Sequence, residues 1–385
     1  MKIYLISLIR AALNNVKPDK PPKDIDWETI YNLAQKHSVA NMVCYAIESL
    51  DVEDKPGQEV LGKLMKARQI VIGREMMQQY EVQGMLDAYE KAGIECVALK
   101  GWHMKHLYPS TDMRSMCDVD VLIKEADMKH IPDVMNSVGF KFGDHGENHD
   151  SYERNSVISV EVHWHLFVES SPYHNYFKNV LDVCEPVEGK KFIKEMRKED
   201  FYLHLLAHAA KHFDGTGTGI RTLTDIWVYN KKYADSFDAE YLEKGLKALG
   251  LYEFNNVMKE LSNAWFGLNV ADAERHVHEE VGNYILSAGA YGFVNNNVVA
   301  KLSRENSKVV YLIKRIFPNV QFMSTEFPVL KKSPWLLPGC WIVRGFRCLF
   351  VRRHKFVNEI KVIKNSDDDS LKGMINIKKL SGLEK

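Results

Sequence analysis

Leu99-Lys100-Gly101-Trp102, Arg114-Ser115-Met116-Cys117-Asp118-Val119-Asp120-Val121-Leu122-Ile123 and Val160-Glu161-Val162-His163-Trp164 are three segments of one stretch, Ala98 to Trp164. Strand side chains alternate faces, so Asp118 and Asp120 point one way and Val119 and Val121 the other, into a core. Two carboxylates so close repel unless a cation lies between them. Oxygen ligands at that spacing suit Mg2+ or Mn2+. Glu161, on a second apolar strand, can complete the set, giving three carboxylates for two hard cations, as in-line nucleotidyl transfer uses. An Asp-x-Asp pair by itself is commonly a solvated strand end. Its company here points to chemistry: Lys100-Gly101 after a strand, Arg114 four residues before Asp118, and Glu161 downstream.

Taken in order, Lys100-Gly101, Arg114-x-x-x-Asp118-x-Asp120 and Glu161-x-His163-Trp164 resemble the uncharacterised nucleotidyltransferase family of the DNA polymerase β-type superfamily. Toxin nucleotidyltransferases of the abortive-infection type share the Lys-Gly and Arg…Asp-x-Asp pattern. The resemblance extends to Trp27, Ala34, His37 and Val39, to the succession His208, Lys211-His212, Arg221 and Asp225, and to Arg315-Ile316-Phe317-Pro318 and Leu336-Leu337-Pro338. It implies transfer of an NMP from an NTP, ATP among them, to an acceptor, with release of pyrophosphate. Asp118, Asp120 and Glu161 would be catalytic and hold Mg2+ or Mn2+. Lys100, Gly101 and Arg114 would hold the triphosphate, with His208, Lys211 and His212 contributing from a helix. The wider superfamily has Gly-Ser where this chain has Gly101-Trp102, and Lys100 or Arg114 is expected to take over the serine's phosphate contact. That departure motivates one alternative, a catalytically inactive nucleotide-binding or scaffold module. Another is a tRNA-modifying toxin-type nucleotidyltransferase. The acceptor is left open among protein, RNA, sugar and small molecule.

The expected fold is α+β: a small mixed sheet at 93–190 carrying the acidic site, an N-terminal helical region at 1–92, a helical domain at 191–325, and a basic helix and tail at 326–385. Within this frame, Asp26 is expected to cap a helix with Trp27, Ile30, Tyr31 and Ala34 on one face. Gln58 to Lys91 reads as one long helix, with Met76 and Met77 packed, ended by Gly93. A helix is expected from about Glu125 to Val138, a polar loop from Asp144 to Asp150, and a hairpin of Tyr152–Arg154 with Val157–His163. In the last strand His163 is expected to support the Glu161 carboxylate. A zinc site from His163, His165 and His145 or His149 competes with plain polar packing. Asp200 is expected to cap a helix on which His204, His208 and His212 share a face. Asp225 would pair with Arg221, and Asn295-Asn296-Asn297 would form a loop.

The 385 residues carry 51 Lys+Arg and 51 Asp+Glu, and this balance argues against a protein that mainly coats nucleic acid. Six cysteines match no zinc spacing and are expected to be reduced and mostly buried, in a cytoplasmic protein. Met1 to Arg10 is too short an apolar run for a signal peptide and reads as an opening helix. No transmembrane segment is expected. The apolar-basic stretch Trp341 to Lys364 would pack on its own domain, with a weak membrane-surface or nucleic-acid contact as the alternative. Residues 365–385 read as frayed or disordered.

Overall fold

The computed structural model describes residues 1–155, 158–289, 302, 308–350 and 368–384. Four helices lead: α1 (Lys2–Asn14), α2 (Trp27–Lys36), α3 (Ala40–Glu48) and α4 (Gln58–Ala92). Asp26 caps α2 as expected, its Oδ1 accepting from the Thr29 amide at 3.1 Å. Ile30 and Ala34 carry the buried stripe of that helix. α4 stops at Gly93, whose φ of 72° is the left-handed cap a glycine adopts without strain.

The sheet segment follows: β1 (Cys96–Ala98), α5 (Lys100–Lys105), β2 (Asp118–Ile123), α6 (Ile131–Ser137), β3 (Lys141–His145), β4 (His149–Arg154), β5 (Ile158–His163), α7 (His174–Phe177), β6 (Glu185–Pro186) and β7 (Ile193–Glu195). The seven strands form one mixed sheet in the order β3-β4-β5-β2-β1-β7-β6. β2 lies parallel to β5 and antiparallel to β1, at the middle of the sheet. The helices α8 (Lys198–Phe213), α9 (Ile220–Tyr233), α10 (Ala239–Leu249), α11 (Tyr252–Phe266) and α12 (Glu279–Ala288) come next. α13 (Lys308–Ile316), α14 (Val320–Glu326), α15 (Leu337–Phe350) and α16 (Asp368–Leu380) complete the described elements. The architecture is α+β.

Strand alternation divides the apolar residues between two cores. Val119, Val121, Ile123, Val160 and Val162 face Val82, Met85, Leu86 and Tyr89 of α4, and Ile131 and Met135 of α6. The opposite face contributes Val97, Leu99 and Leu122 to a larger core shared by α1–α3 and α8–α12. The acidic face of β2 therefore turns toward the helical layer.

Several expectations are corrected. The helix at 125–138 is a 3-10 segment, Glu125–His130, followed by α6; Pro132 in the first turn of α6 has no amide to continue a helix arriving from upstream. The expected loop Asp144–Asp150 is instead the turn of a β3–β4 hairpin, with His145 opposite Asp150. Met76 and Met77 are 68% and 40% exposed, because the middle of α4 bridges the two cores rather than entering either. Asp200 lies inside the first turn of α8, behind the N-cap Arg197, and accepts from Tyr241 Oη at 2.7 Å. The tail is helical: α16 packs on α12, and Lys378 reaches Asp214 at 2.6 Å. Of the five described cysteines, Cys117 is exposed and the others are buried. In α15, Cys340 packs with Met323 and Leu330, while Ile342, Val343 and Phe346 are exposed. Residues 351–364 of that basic stretch, and Asn295–Asn297, lie outside the described residues. Among the described residues no helix is long and apolar enough to cross a membrane.

Candidate active site

The parallel register of β2 and β5 sets Asp120 beside Glu161 and Asp118 beside Ser159. Asp118, Asp120 and Glu161 thus share one face of adjacent strands. Their environments differ. Asp118 stands at the exposed start of β2, while Asp120, two residues on, is buried. Partial desolvation, then the negative charge of Asp120 and Glu161, raises the Asp118 pKa. Burial works against Asp120 ionisation, but Lys100 and the hydrogen bond from His163 outweigh it and hold the pKa well below the usual carboxylate range. His163 also bonds Glu161 and lowers its pKa against a desolvation penalty.

The distances show how. Lys100 Nζ lies 3.3 Å from Asp120 Oδ2. His163 Nε2 lies 3.0 Å from Asp120 Oδ1 and 3.3 Å from Glu161 Oε2. The expected support of Glu161 by His163 is present, and the same nitrogen also reaches Asp120. Lys100 has a φ of 37°, a left-handed backbone that is strained for a lysine. That geometry leads straight from β1 into α5 and turns the ammonium onto β2. Gly101 lies against Met116: a Cβ there would meet Met116 Sδ at 2.5 Å, so the methionine side chain would have to shift. Trp102 is buried with the sheet core, and Lys105 Nζ sits 3.8 Å from its ring.

From the helical layer, α8 presents His204, His208, Lys211 and His212. His204 is enclosed by Phe167 and Phe177, each ring 5.8 Å away. His208 and His212 face each other, Nε2 to Nε2 at 3.1 Å. Desolvation, reinforced by nearby positive charge, lowers the pKa of both; His212 falls to about 4. Lys211 is lowered by desolvation and by Lys100, while Asp120 and Glu161 act in the opposite sense, so α8 and the sheet share one field.

Arg114 is held elsewhere. Its Nε donates to Asp225 Oδ1 at 2.7 Å and its Nη1 to the Ser115 carbonyl at 2.9 Å. Tyr108 Oη donates to the same Asp225 oxygen at 2.6 Å and lies 2.9 Å from Thr224 Oγ1. Sequence spacing paired Asp225 with Arg221; the structure ties Asp225 instead to the segment leading into β2. The zinc set expected from His163, His165 and His145 or His149 is brought together only in part. His145 bonds Asp150 at 2.5 Å, and His165 lies 3.8 Å from Glu125. Of the expected set, His149 and His163 do come together, with Glu161 as the third member of the group.

Three carboxylates share one face of adjacent strands, and oxygen donors of this kind suit a hard divalent cation, but the donor atoms that lie within 4.8 Å of one another among the described residues are those of His149, Glu161 and His163. A profile of known families settles the class of protein. The profile described as "Uncharacterised nucleotidyltransferase" matches residues 23–267, more than half of the chain. The chain belongs to this nucleotidyltransferase family. No curated protein matches the nucleotidyltransferase at a significant level. Among solved structures it is similar to the antibiotic-resistance factor ANT(2'')-Ia, studied in solution, at 10% identity, over 53% of this chain and 99% of that one. The TM-score of 0.28 is too low for that likeness to carry any argument.

Proposed function

We propose that this nucleotidyltransferase moves an NMP from an NTP to an acceptor nucleophile, with Asp118, Asp120 and Glu161 holding Mg2+ or Mn2+. The observation that supports this most is the β2–β5 register, with Asp120 opposite Glu161 and Asp118 on the same face. A bond forms between the acceptor atom and the α-phosphorus, the bond from that phosphorus to the bridging oxygen breaks, and pyrophosphate leaves. Divalent cations bound at the three carboxylates would supply neutralisation of phosphate charge and a lowered pKa for the acceptor.

The chain's own groups do the rest. Lys100 is the cation nearest the aspartates, and when the carboxylates are neutralised its ammonium is free to turn to the β- and γ-phosphates. Lys211 approaches from α8 with His208 and His212, whose neutral rings are hydrogen-bonded Nε2 to Nε2, so that one N–H of the pair is left for phosphate or base. Gly101 keeps the β1–α5 turn close to β2. Arg114, through Asp225, positions the approach to β2. Glu161 or a neighbouring group accepts the acceptor's proton.

Purified protein given each NTP in turn, with Mg2+ or Mn2+ and a desalted cell lysate that supplies the acceptor, tests the reading against the lysate alone. Pyrophosphate release that stops with EDTA supports it. NTP binding without release, unaffected by EDTA, favours the inactive binding module.

A further inference from the structure

β4 and β5 pair in a register that sets His149 opposite His163 and Ser151 opposite Glu161. The two histidines therefore rise from the same face as the carboxylates, on neighbouring strands, with ring centroids 5.0 Å apart. His149 Nε2 is 3.8 Å from Glu161 Oε1, and His163 Nε2 is 3.3 Å from Glu161 Oε2. One donor atom from each of the three lies within 4.8 Å of the other two. A single cation with bonds of about 2.0–2.2 Å spans such a group after small side-chain rotations.

The second ring nitrogen of His149 adds an independent sign. Nδ1 is buried and has no hydrogen-bond partner. A buried ring nitrogen without a partner is costly, and a ring flip exchanges the two nitrogens, so either one is available as a ligand. Asp120 Oδ1, 3.0 Å from His163 Nε2, supplies a further oxygen at the border of the group.

We propose that His149, Glu161 and His163 form a mixed nitrogen–oxygen site for a transition-metal divalent cation, adjoining the aspartate pair and sharing Glu161 with it. Imidazole ligands favour Zn2+ and later first-row ions and give Mg2+ almost nothing. The order of affinity at this site is therefore Zn2+ above Mn2+ above Mg2+. The inference rests on the carboxylate reading only for its place in catalysis; binding itself needs no nucleotide.

The test is calorimetric titration of the full-length protein with Zn2+, Mn2+ or Mg2+ alone, repeated for His149→Ala, His149→Gln and a control, His145→Ala. Visible absorption of added Co2+ reports nitrogen ligation directly. His149 is partly exposed, so both variants should fold, and circular dichroism checks this. The expected result is a loss of Zn2+ and Mn2+ affinity of about tenfold or more in both His149 variants, a changed Co2+ spectrum, Mg2+ binding altered less than about twofold, and no change in His145→Ala. Zn2+ binding that is unaltered by both His149 substitutions, or equally weakened by His145→Ala, would overturn the proposal. If no NTP releases pyrophosphate with acceptor-supplying lysate present, the transfer reading fails while this measurement stands, because it is made without nucleotide.

Discussion

At the scale of single residues, the site is a contest among one lysine, one imidazole and three carboxylates. Desolvation disfavours charge on His163, yet its hydrogen bonds to Asp120 and Glu161 outweigh that and raise its pKa above the ordinary 6.5. A raised pKa means the folded state holds the proton more tightly. The stability it contributes is complete below 6.5 and is lost as pH rises through the raised folded value. A cation on Glu161 and Asp120 competes with that proton. NMR titration of His163 should give a midpoint above 6.5 in EDTA and a lower one with saturating Mg2+. A midpoint below 6.5 in EDTA would contradict this account. The shared face of the carboxylates was legible in the sequence because period-two alternation fixes it, whereas Lys100, in the turn from β1 into α5, was marked only by the Lys-Gly pattern. The dual grip of His163 was only half legible: its support of Glu161 follows from strand spacing, but its reach to Asp120 depends on which strand lies next door.

At the scale of elements, pairing across the chain is what spacing fails to reveal. Arg114 and Asp225 are 111 residues apart, and both are nearly buried where the segment before β2 meets α9. Breaking such a pair leaves a buried charge uncompensated. Arg114→Met should therefore lose about 3–5 kcal/mol in urea unfolding. Asp225→Asn in the same background should recover part of it, which a double-mutant cycle measures. Additive losses would remove Arg114's positioning role and return it to a direct phosphate contact. The β3–β4 hairpin was missed for a related reason. A short strand at Phe140–Phe142 was legible, but β3 runs on to His145, is exposed at all five positions and has no apolar alternation, so its full length shows only in its pairing with β4. α2, α4 and β2 were legible because a cap, a terminal glycine or an alternating pattern marks each locally.

At the scale of the whole molecule, the helical layers that close over the sheet bury uncharged histidines. Burial lowers the pKa of His37, His103 and His212 to about 4 and of His204 to about 3. Unfolded, each would take a proton near 6.5; folded, none does until the pH is far lower. Stability from these groups is thus present above about pH 6.5 and lost as pH falls toward 4. The sign is opposite to that of His163, and four groups outweigh one. Urea midpoints should fall between pH 7 and pH 5, and His204→Phe, which replaces an imidazole enclosed by phenylalanines, should reduce the fall. An equal pH dependence in that variant would count against His204 as a source.

The tail belongs to the same scale. It looked polar and frayed in sequence, but α16 covers α12 and its Lys378 reaches Asp214, a contact no local pattern announces. Around this assembly the central claim stays narrow: Asp118, Asp120 and Glu161 gather divalent cations for nucleotidyl transfer. Asp118 is the cleanest probe, because it is exposed and its amide should fold within about 0.5 kcal/mol of the parent. The most direct measurement is transfer of label from α-phosphate-labelled NTPs into a cell lysate, comparing the parent protein with Asp118→Asn and Asp120→Asn. The prediction is EDTA-sensitive labelling by the parent and a loss of roughly 10²-fold or more in each variant; labelling that survives both substitutions and EDTA would contradict it.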